Sequence, residues 1–363
     1  MIVRSRLLLA TLLLCLAAPV AAQDPVDATP AEVPADAGDA RLDPLAQRYR
    51  LGQGYRLGES GFTLGGYGVA SVQETGTSED WAARLDALSA FLWWDGGARW
   101  QLFSELELAD ALVLSPGRST TDDAHVILER LYVDYVLADA AKFRLGKFLT
   151  PVGHWNLSHA EPLVWTTSRP LITESTFPTN ATGAMLYGLL PVGDEGLEYS
   201  LWGSPGEELF PEQGVDTFRE AFGGHLRYTL RPGLRLGLSY VDFELDTSSD
   251  ERRNLYGVDV QAAWRRFELS AEWARRVTNL DDGRRDEEGG YLQLVAPLAQ
   301  RLYAVGRYER FQQSDAARDL TLYIAGFNYR VQPAVVLKAE YGRATNNDIG
   351  VVDGLKASIA VLF

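Results

Sequence analysis

Cysteine is nearly absent from the chain. Cys15 is the single cysteine among 363 residues, and it lies in an apolar stretch close to the N-terminus. A disulfide framework is therefore excluded for the remainder of the chain. Lysine is also scarce, with four residues, and the formal net charge is −15. This acidic balance argues against nucleic acid and against an anionic membrane surface as bulk partners, although local basic patches stay open.

Long apolar runs are missing after the first residues. Arg4 and Arg6, the apolar stretch "LLLATLLLCLA" and the small residues "VAA" predict a secretory signal over residues 1–22. No later run approaches the roughly 20 residues that a membrane helix needs. That test does not detect transmembrane barrels, whose strands alternate apolar and polar residues. Residues 23–60 begin with a segment rich in Pro, Ala and Asp that lacks aromatics, which predicts a disordered periplasmic leader.

Residues 61–363 have a uniform texture of short alternating stretches, which predicts a single all-β domain. About sixteen strands can be placed, the third over 98–110 and the twelfth over 289–298. Connections after even-numbered strands are tight, whereas those after odd-numbered strands are longer and polar. An even strand number with this asymmetry predicts an antiparallel up-and-down β-barrel of the outer membrane, with short periplasmic turns. A soluble sandwich or propeller is the alternative, but its turns need not sort in this way.

The two faces of the strands predict a lipid side and a water side. In the eleventh strand, Phe267, Leu269, Ala271 and Trp273 alternate with Glu268, Ser270 and Glu272. The inward charges are mixed in sign. They have two interpretations: most would pair across strands and brace the wall, and a minority would set the field felt by solutes.

Arg275, Arg310 and Arg343 interrupt the lipid face at similar heights of three outward-running strands. They would form a row at the extracellular rim. One interpretation is simple snorkelling to the interface, and the other is contact with lipopolysaccharide phosphates.

The chain ends on "LKASIAVLF", which predicts a last strand with one firmly apolar face. That face should meet lipid while the strand closes the barrel against the first one. Ile359, Val361 and Phe363 also resemble the terminal signal that outer-membrane barrels present to the barrel assembly machinery, so that machinery is an expected partner.

The connection over 150–180 is far longer than the others. Its four prolines stiffen it, and Trp155 and Trp165 could anchor it against a wall. Long loops of this kind are usually functional, and we expect this one to fold into the lumen and narrow it. Its histidines lack the ligand spacing of a strong metal site, so no metal is expected. With four histidines and no Ser–His–acid pattern, no catalytic residues and no enzyme are expected either.

Several motifs together resemble the family that includes the phosphate-selective porins of Gram-negative bacteria. They are "FRLGKFLTPVG", "NLSHAEPL", "SRPLI" and "TGAMLYG", with "GGYGVASV" and "LKAEYGR" near the two ends. The resemblance implies that Arg144 is the strand arginine and that Asn156, His159 and Arg169 belong to a constriction loop. The lysine-poor, mixed-sign inward face departs from the dense basic lining of the phosphate-selective members, so that selectivity does not carry over.

The expected function is passive diffusion of small hydrophilic solutes or ions through the lumen, without a cofactor. A substrate-specific channel for an anion or organic acid and a non-conducting barrel are the alternatives. The resemblance also implies a possible homotrimer in the outer membrane. The predicted constriction consists of Arg144, Asn156, His159, Glu161, Arg169, Glu174, Arg130 and Glu105.

Overall fold

A computed structural model describes most of the chain from Tyr49 onward. The described residues are 49–50, 52, 54–74, 81–97, 99–158, 160–193, 195–212, 214–247, 251–280, 283–312, 319–347, 351 and 353–363. The predicted signal (1–22) and the predicted leader up to residue 48 lie outside these ranges.

Sixteen long strands make up the wall of the molecule. They are β1 (Phe62–Glu74), β2 (Trp81–Asp95), β3 (Trp100–Ser115), β4 (His125–Ala138), β5 (Ala141–Leu149), β6 (Asn180–Leu190), β7 (Leu197–Ser204), β8 (Phe218–Arg231), β9 (Leu234–Leu245), β10 (Arg252–Trp264), β11 (Phe267–Leu280), β12 (Gly283–Pro297), β13 (Leu302–Gln312), β14 (Leu320–Gln332), β15 (Val335–Thr345) and β16 (Gly354–Leu362).

Every strand pairs antiparallel with its neighbours in the sequence, and the sheet closes on itself. β16 pairs with β1, with Ser358 opposite Ser71 and Ile359 opposite Ala70. Closure leaves no unpaired edge, which a strand in hydrocarbon requires. The predicted sixteen-stranded antiparallel barrel is therefore confirmed.

Two strands extend further than predicted. β3 continues to Ser115 and folds back on a short strand, Arg118–Thr120. β12 starts at Gly283, and its charged first residues pair with the end of β11, with Glu287 opposite Arg276. The sequence reads as loop here because these strand ends are as polar as loops, and water can solvate them beyond the membrane.

The sheet also starts earlier than predicted. Tyr49–Arg50 pairs with Gly54–Arg56, which in turn pairs with Thr63 and Leu64 at the start of β1. The predicted leader, residues 23–60, therefore ends too late, since Tyr49–Arg50 and Gly54–Arg56 belong to the sheet. These strands of two and three residues are too short to show a two-residue alternation in the sequence. Among the described residues, no helix has both the length and the apolar character to cross a membrane.

The strand faces follow the predicted alternation. Leu238, Tyr256, Val258 and Tyr341 are exposed on the outside, while Asp259, Glu272 and Lys338 are buried on the inside. The largest cluster of buried apolar side chains lies inside the barrel and includes residues of the long connection after β5.

Candidate pore and the loop folded inside it

The connection between β5 and β6, residues 150–179, is called the constriction loop below. It contains a single 3₁₀ turn, Asn156–Ser158, and a short helix, α1 (Leu171–Ser175). Trp155 and Ile172 are 2% and 3% exposed and belong to the same buried cluster as wall residues. The predicted in-folding of this loop is confirmed.

Three glutamates of the wall hold the backbone of the loop. Glu272 on β11 accepts hydrogen bonds from the amide N–H of Trp155 at 2.7 Å and of His154 at 3.2 Å. Glu309 on β13 accepts one from the N–H of Leu171 at 2.8 Å. Glu340 on β15 accepts two, from consecutive residues of the loop. Hydrogen bonds to a charged acceptor are roughly twice as strong as neutral ones.

Glu340 binds consecutive amides of the loop. The N–H of Thr167 donates to it at 2.8 Å and the N–H of Ser168 at 2.9 Å. Because β11, β13 and β15 all run outward, their glutamates form a row along one side of the lumen. The loop is therefore fastened to the β11–β15 side of the wall.

Two wall cations bind the carbonyl groups of the same loop. Arg307 on β13 donates to the carbonyl oxygen of Ser168 at 2.9 Å and to the hydroxyl of Thr166 at 2.6 Å. Lys338 on β15 donates to the Glu161 carboxylate at 2.7 Å and to the Thr166 carbonyl at 3.0 Å. Most inward charges were expected to pair across strands, but Arg307 and Lys338 bind chiefly the loop.

Asn156 was predicted to line the constriction, and that assignment is wrong. Its side chain is fully buried and donates to the carbonyl oxygens of Thr150 at 2.9 Å and Thr179 at 3.0 Å. It joins the two ends of the loop. His159, predicted beside it, lies outside the described residues.

Glu105 and Arg130 form an ion pair on the wall opposite the anchored side. Their closest approach is 2.5 Å, and the Glu105 side chain is fully buried. Glu105 therefore supports Arg130 and does not itself face solutes, which corrects its predicted place in the lining. The aromatic ring of Phe103 lies under the Arg130 guanidinium, 4.5 Å from its centroid.

Arg144 is held in a similar way. It donates to Asp134 through two nitrogens at 2.8 Å each, and its guanidinium lies 3.5 Å from the ring centroid of Tyr132 and 4.9 Å from that of Tyr187. Arg130, Arg144, Lys142 and Arg227 all border one cavity of about 500–600 Å³ between the loop and the wall of β4–β8. The structure thus brings two of the predicted residues, Arg130 and Arg144, together at this cavity.

Arg169 and Glu174, which were also predicted to line the constriction, do not border this cavity. Arg169 is close enough to Glu129 and Glu174 to interact with them electrostatically. Burial raises the pKa of the Glu174 carboxyl, and Lys356 is among its neighbours. Glu129 was not singled out from the sequence, since its place at an irregular pairing between β3 and β4 obscures which face it takes.

Glu161 is the third of these loop residues, and it is bound to Lys338. Among the described residues, Glu129, Glu174 and Arg169 form no ion pair within 4.0 Å. These three groups therefore lack the kind of ion-pair partner that Glu161 has in Lys338.

His154 is a largely buried neutral base in the loop, with its side chain 13% exposed. Its ring Nε2 lies 3.1 Å from the Tyr291 hydroxyl and 3.6 Å from Glu272. Burial lowers its pKa from 6.5 to about 4. Within the described ranges, no group of three or more His, Cys, Asp or Glu residues is arranged to hold a metal ion.

The three rim arginines lie where they were predicted, on the outer face near the extracellular end. Their side chains are 40%, 65% and 67% exposed for Arg275, Arg310 and Arg343. Each one pairs with an aspartate that the sequence analysis did not assign to it. The partners are Asp286, Asp319 and Asp353.

The end of the chain closes the barrel as predicted. The N–H of Phe363 donates to the Gly66 carbonyl at 2.8 Å, and the Gly66 N–H donates to the Phe363 carbonyl at 2.9 Å. On the other side, the N–H of Leu362 donates to Ala334 at 2.8 Å. Ile359, Val361 and Phe363 share the outer face, and Phe363 is 43% exposed.

A closed sixteen-stranded barrel whose lumen holds one long inward loop is the architecture of an outer-membrane diffusion channel. The family model for Gram-negative porins matches residues 10–349. The chain therefore belongs to the Gram-negative porin family, and it is an outer-membrane protein.

Three solved structures with the same fold are distant from this chain in sequence. The anion-selective porin from Comamonas acidovorans superposes with a TM-score of 0.59 at 14% identity, covering 83% of this chain and 98% of that one. The Salmonella typhi OmpF complex with daunomycin gives 0.61 at 11% identity, covering 83% and 97%. The in-vitro folded trimer form of OmpT from Vibrio cholerae gives 0.58 at 12%, covering 83% and 99%. These likenesses show the fold.

Proposed function

We propose that this porin is a general diffusion channel of weak charge selectivity for small hydrophilic solutes and ions. The observation that carries the proposal is the constriction loop, fixed on one side of the lumen and facing a charged wall on the other. Solutes are sieved by the width that the loop leaves, and no conformational cycle or cofactor is needed. Transport is down the gradient only.

Charges of both signs border the passage, which is the reason for weak selectivity. The cavity beside β4–β8 is bordered by Lys142, which has no ion-pair partner among the described residues. Its other cations are Arg130, Arg144 and Arg227, which are paired with Glu105, Asp134 and Glu198. On the other side of the loop, Glu129 and Glu174 outnumber Arg169. A solute ion therefore meets an anion-attracting region and a cation-attracting region in series, and neither sign is strongly excluded.

The reversal potential under a salt gradient tests this arrangement. We expect a small value for the unmodified protein. Glu174→Gln should shift it towards anion preference, and Lys142→Gln should shift it the opposite way, since each change removes one charge from a different region. A strong selectivity in the unmodified protein, or equal responses to both changes, would contradict the proposal.

A substrate-specific channel for a small anion or organic acid is the second candidate. The cavity favours it, because Lys142 has no ion-pair partner among the described residues and lies beside Arg144. Asp134 occupies two nitrogens of Arg144 and fixes its guanidinium, whose third nitrogen remains for a solute anion. The solved porin from Comamonas acidovorans is described as anion-selective. Current that saturates with the concentration of one organic acid, and loses that saturation in Arg144→Gln, would favour this candidate over the general pore.

The oligomeric state and the binding partners are proposals as well. We propose a homotrimer, because a distant relative of the same fold is described in a trimer form. Native mass spectrometry in detergent checks this, and a monomer as the sole species contradicts it.

The assembly machinery is proposed to bind the last strand, and lipopolysaccharide is proposed to contact the rim of Arg275, Arg310 and Arg343. No enzymatic activity, cofactor or nucleic-acid partner is proposed.

The N-terminal region has a proposed role in export. Residues 1–22 would be removed after translocation, leaving residues from Gln23 onward as a periplasmic leader. N-terminal sequencing of the protein taken from the outer membrane tests this, and a first residue inside 1–22 would contradict it.

A further inference from the structure

The periplasmic turns of one half of the barrel are basic and contain no acidic residue. The segments concerned are 229–237, 262–267 and 296–303, which connect β8–β9, β10–β11 and β12–β13. They carry five exposed arginines. Arg235 alternates with the outward-facing Leu236 and so faces the lumen. The other four, Arg231, Arg265, Arg266 and Arg301, are called the periplasmic arginine rim below.

The rim arginines lack carboxylate partners. Among the residues that the structure describes, none of the four forms an ion pair. At the opposite end of the barrel, Arg275, Arg310 and Arg343 each pair with an aspartate. In a chain with a net charge of −15, the periplasmic end thus carries a group of cations whose charge no described carboxylate neutralises.

Hydrogen bonds between turns make the rim one contiguous surface. The N–H of Ala263 donates to the Gly233 carbonyl at 2.6 Å. Arg266 donates to the carbonyl of Ala299 in the next turn at 2.7 Å. Arg301 donates to the carbonyl of Val331, in the turn after that, at 2.6 Å. The guanidinium groups of Arg266 and Arg301 are therefore fixed in position while keeping further N–H donors free, since an arginine has five.

An apolar band lies directly beside the rim on the outer face. Its members are exposed to between 41% and 65%: Leu230, Leu236, Trp264, Phe267 and Leu298. The guanidinium of Arg265 lies 4.9 Å from the ring centroid of Trp264, so cationic and apolar groups meet within one turn. A tryptophan between an apolar band and arginines is typical of the level of the membrane at which acyl chains meet headgroups.

We propose that the periplasmic arginine rim binds anionic phospholipids of the inner leaflet. Their phosphate groups accept hydrogen bonds from the guanidinium groups, and their acyl chains lie along the apolar band. A soluble anion would use the cations alone, whereas a phospholipid uses both parts of the surface. Guanidinium is suited to this role because its planar donors match phosphate oxygens and it is weakly hydrated.

Lipid enrichment around the intact protein tests the proposal. The full chain is reconstituted in phosphatidylcholine vesicles with a minor fraction of phosphatidylglycerol and then extracted with its surrounding lipid into polymer nanodiscs. We expect the fraction of phosphatidylglycerol in the nanodiscs to be about three times that in the bulk vesicle. Each cation near a membrane surface raises the local concentration of anionic headgroups by a similar factor or more. The enrichment should decrease at high salt.

Two variants and a control locate the site. Arg231→Gln with Arg265→Gln removes two rim cations whose side chains make no hydrogen bond in the described structure, so folding should be kept, and enrichment should fall by about half. Adding Arg266→Gln and Arg301→Gln should remove it. The matched control, Arg275→Gln with Arg310→Gln and Arg343→Gln, removes arginines that already have aspartate partners and should keep the enrichment.

Three results would overturn the proposal. They are no enrichment in the unmodified protein, equal enrichment in the four-site rim variant, and loss of enrichment in the control variant. An excess of inorganic phosphate distinguishes a lipid headgroup from free phosphate: bound phospholipid should persist, and its complete displacement would count against the lipid. The readout does not depend on conductance, so it is independent of the proposed channel function.

Discussion

At the scale of single residues, hydrogen bonds from individual wall side chains to individual backbone groups hold the loop in place. Glu272, Glu309 and Glu340 receive amide protons, while Arg307 and Lys338 bind carbonyl oxygens. Because these charges are buried and their partners are fixed, removal of one member leaves backbone groups without a partner. Such a loss is more damaging than the loss of a solvent-exposed ion pair.

Glu340→Ala should loosen the loop. Two amides, those of Thr167 and Ser168, lose a charged acceptor, which we expect to weaken loop docking by about 3 kcal/mol. The single-channel conductance and its noise should both increase. Glu220→Ala is the control, because Glu220 is 59% exposed and pairs with Arg252 away from the loop. Identical conductance and noise in Glu340→Ala and in the unmodified protein would show that this glutamate does not hold the loop.

His154 should make loop docking depend on pH. Burial lowers its pKa to about 4 in the docked loop, against 6.5 when exposed. Between these values only the undocked loop binds the proton, so docking is complete above pH 6.5 and weakens as the pH falls towards 4, by at most about 3 kcal/mol. Glu174, whose pKa is raised by burial, contributes with the opposite sign.

The variant His154→Gln isolates this contribution. The conductance noise of the unmodified channel should increase as the pH is lowered from 6.5 to 4.5. The noise of the variant should increase less over the same pH range. A variant whose pH profile superposes on that of the unmodified protein would assign the dependence to the carboxylates.

At the scale of elements, the alternation of the strands and the length of the loop could be read from the sequence, but the contacts between them could not. Two-residue periodicity places Val258 outside and Asp259 inside, and Trp155 predicts an anchored loop. That Glu340 would meet Thr167, which is 173 residues away, depends on the position of the loop in the closed barrel. Asn156 was misplaced for the same reason, since a polar loop residue can bind its own backbone or face the lumen.

Deleting Phe363 should reduce assembly more than it alters the inserted channel. Its backbone makes two hydrogen bonds to Gly66, and its side chain is 43% exposed. We expect a lower yield in the outer membrane with an unchanged single-channel conductance. Phe267→Ala is the control for a lost lipid-facing aromatic, since Phe267 is 45% exposed. An equal loss of yield in both variants would contradict a specific role in assembly.

At the scale of the whole molecule, charge is distributed unevenly between the two ends. Arg275, Arg310 and Arg343 at the extracellular end each have an aspartate partner. The arginines of the periplasmic rim have no ion-pair partner among the described residues. Charges of both signs border the passage between the two ends. The net charge of −15 is therefore a poor guide to selectivity, because it counts residues over the whole chain and not only those that border the passage. Strand alternation and the asymmetry of the connections predicted the barrel class but not this distribution.

The central claim is that the barrel conducts small solutes past a fixed loop, and planar-bilayer recording tests it most directly. We predict stepwise insertion of open channels whose current is linear in voltage and rises in proportion to salt concentration without saturating. Complete absence of current from correctly folded, inserted protein would contradict the claim and would favour a non-conducting barrel.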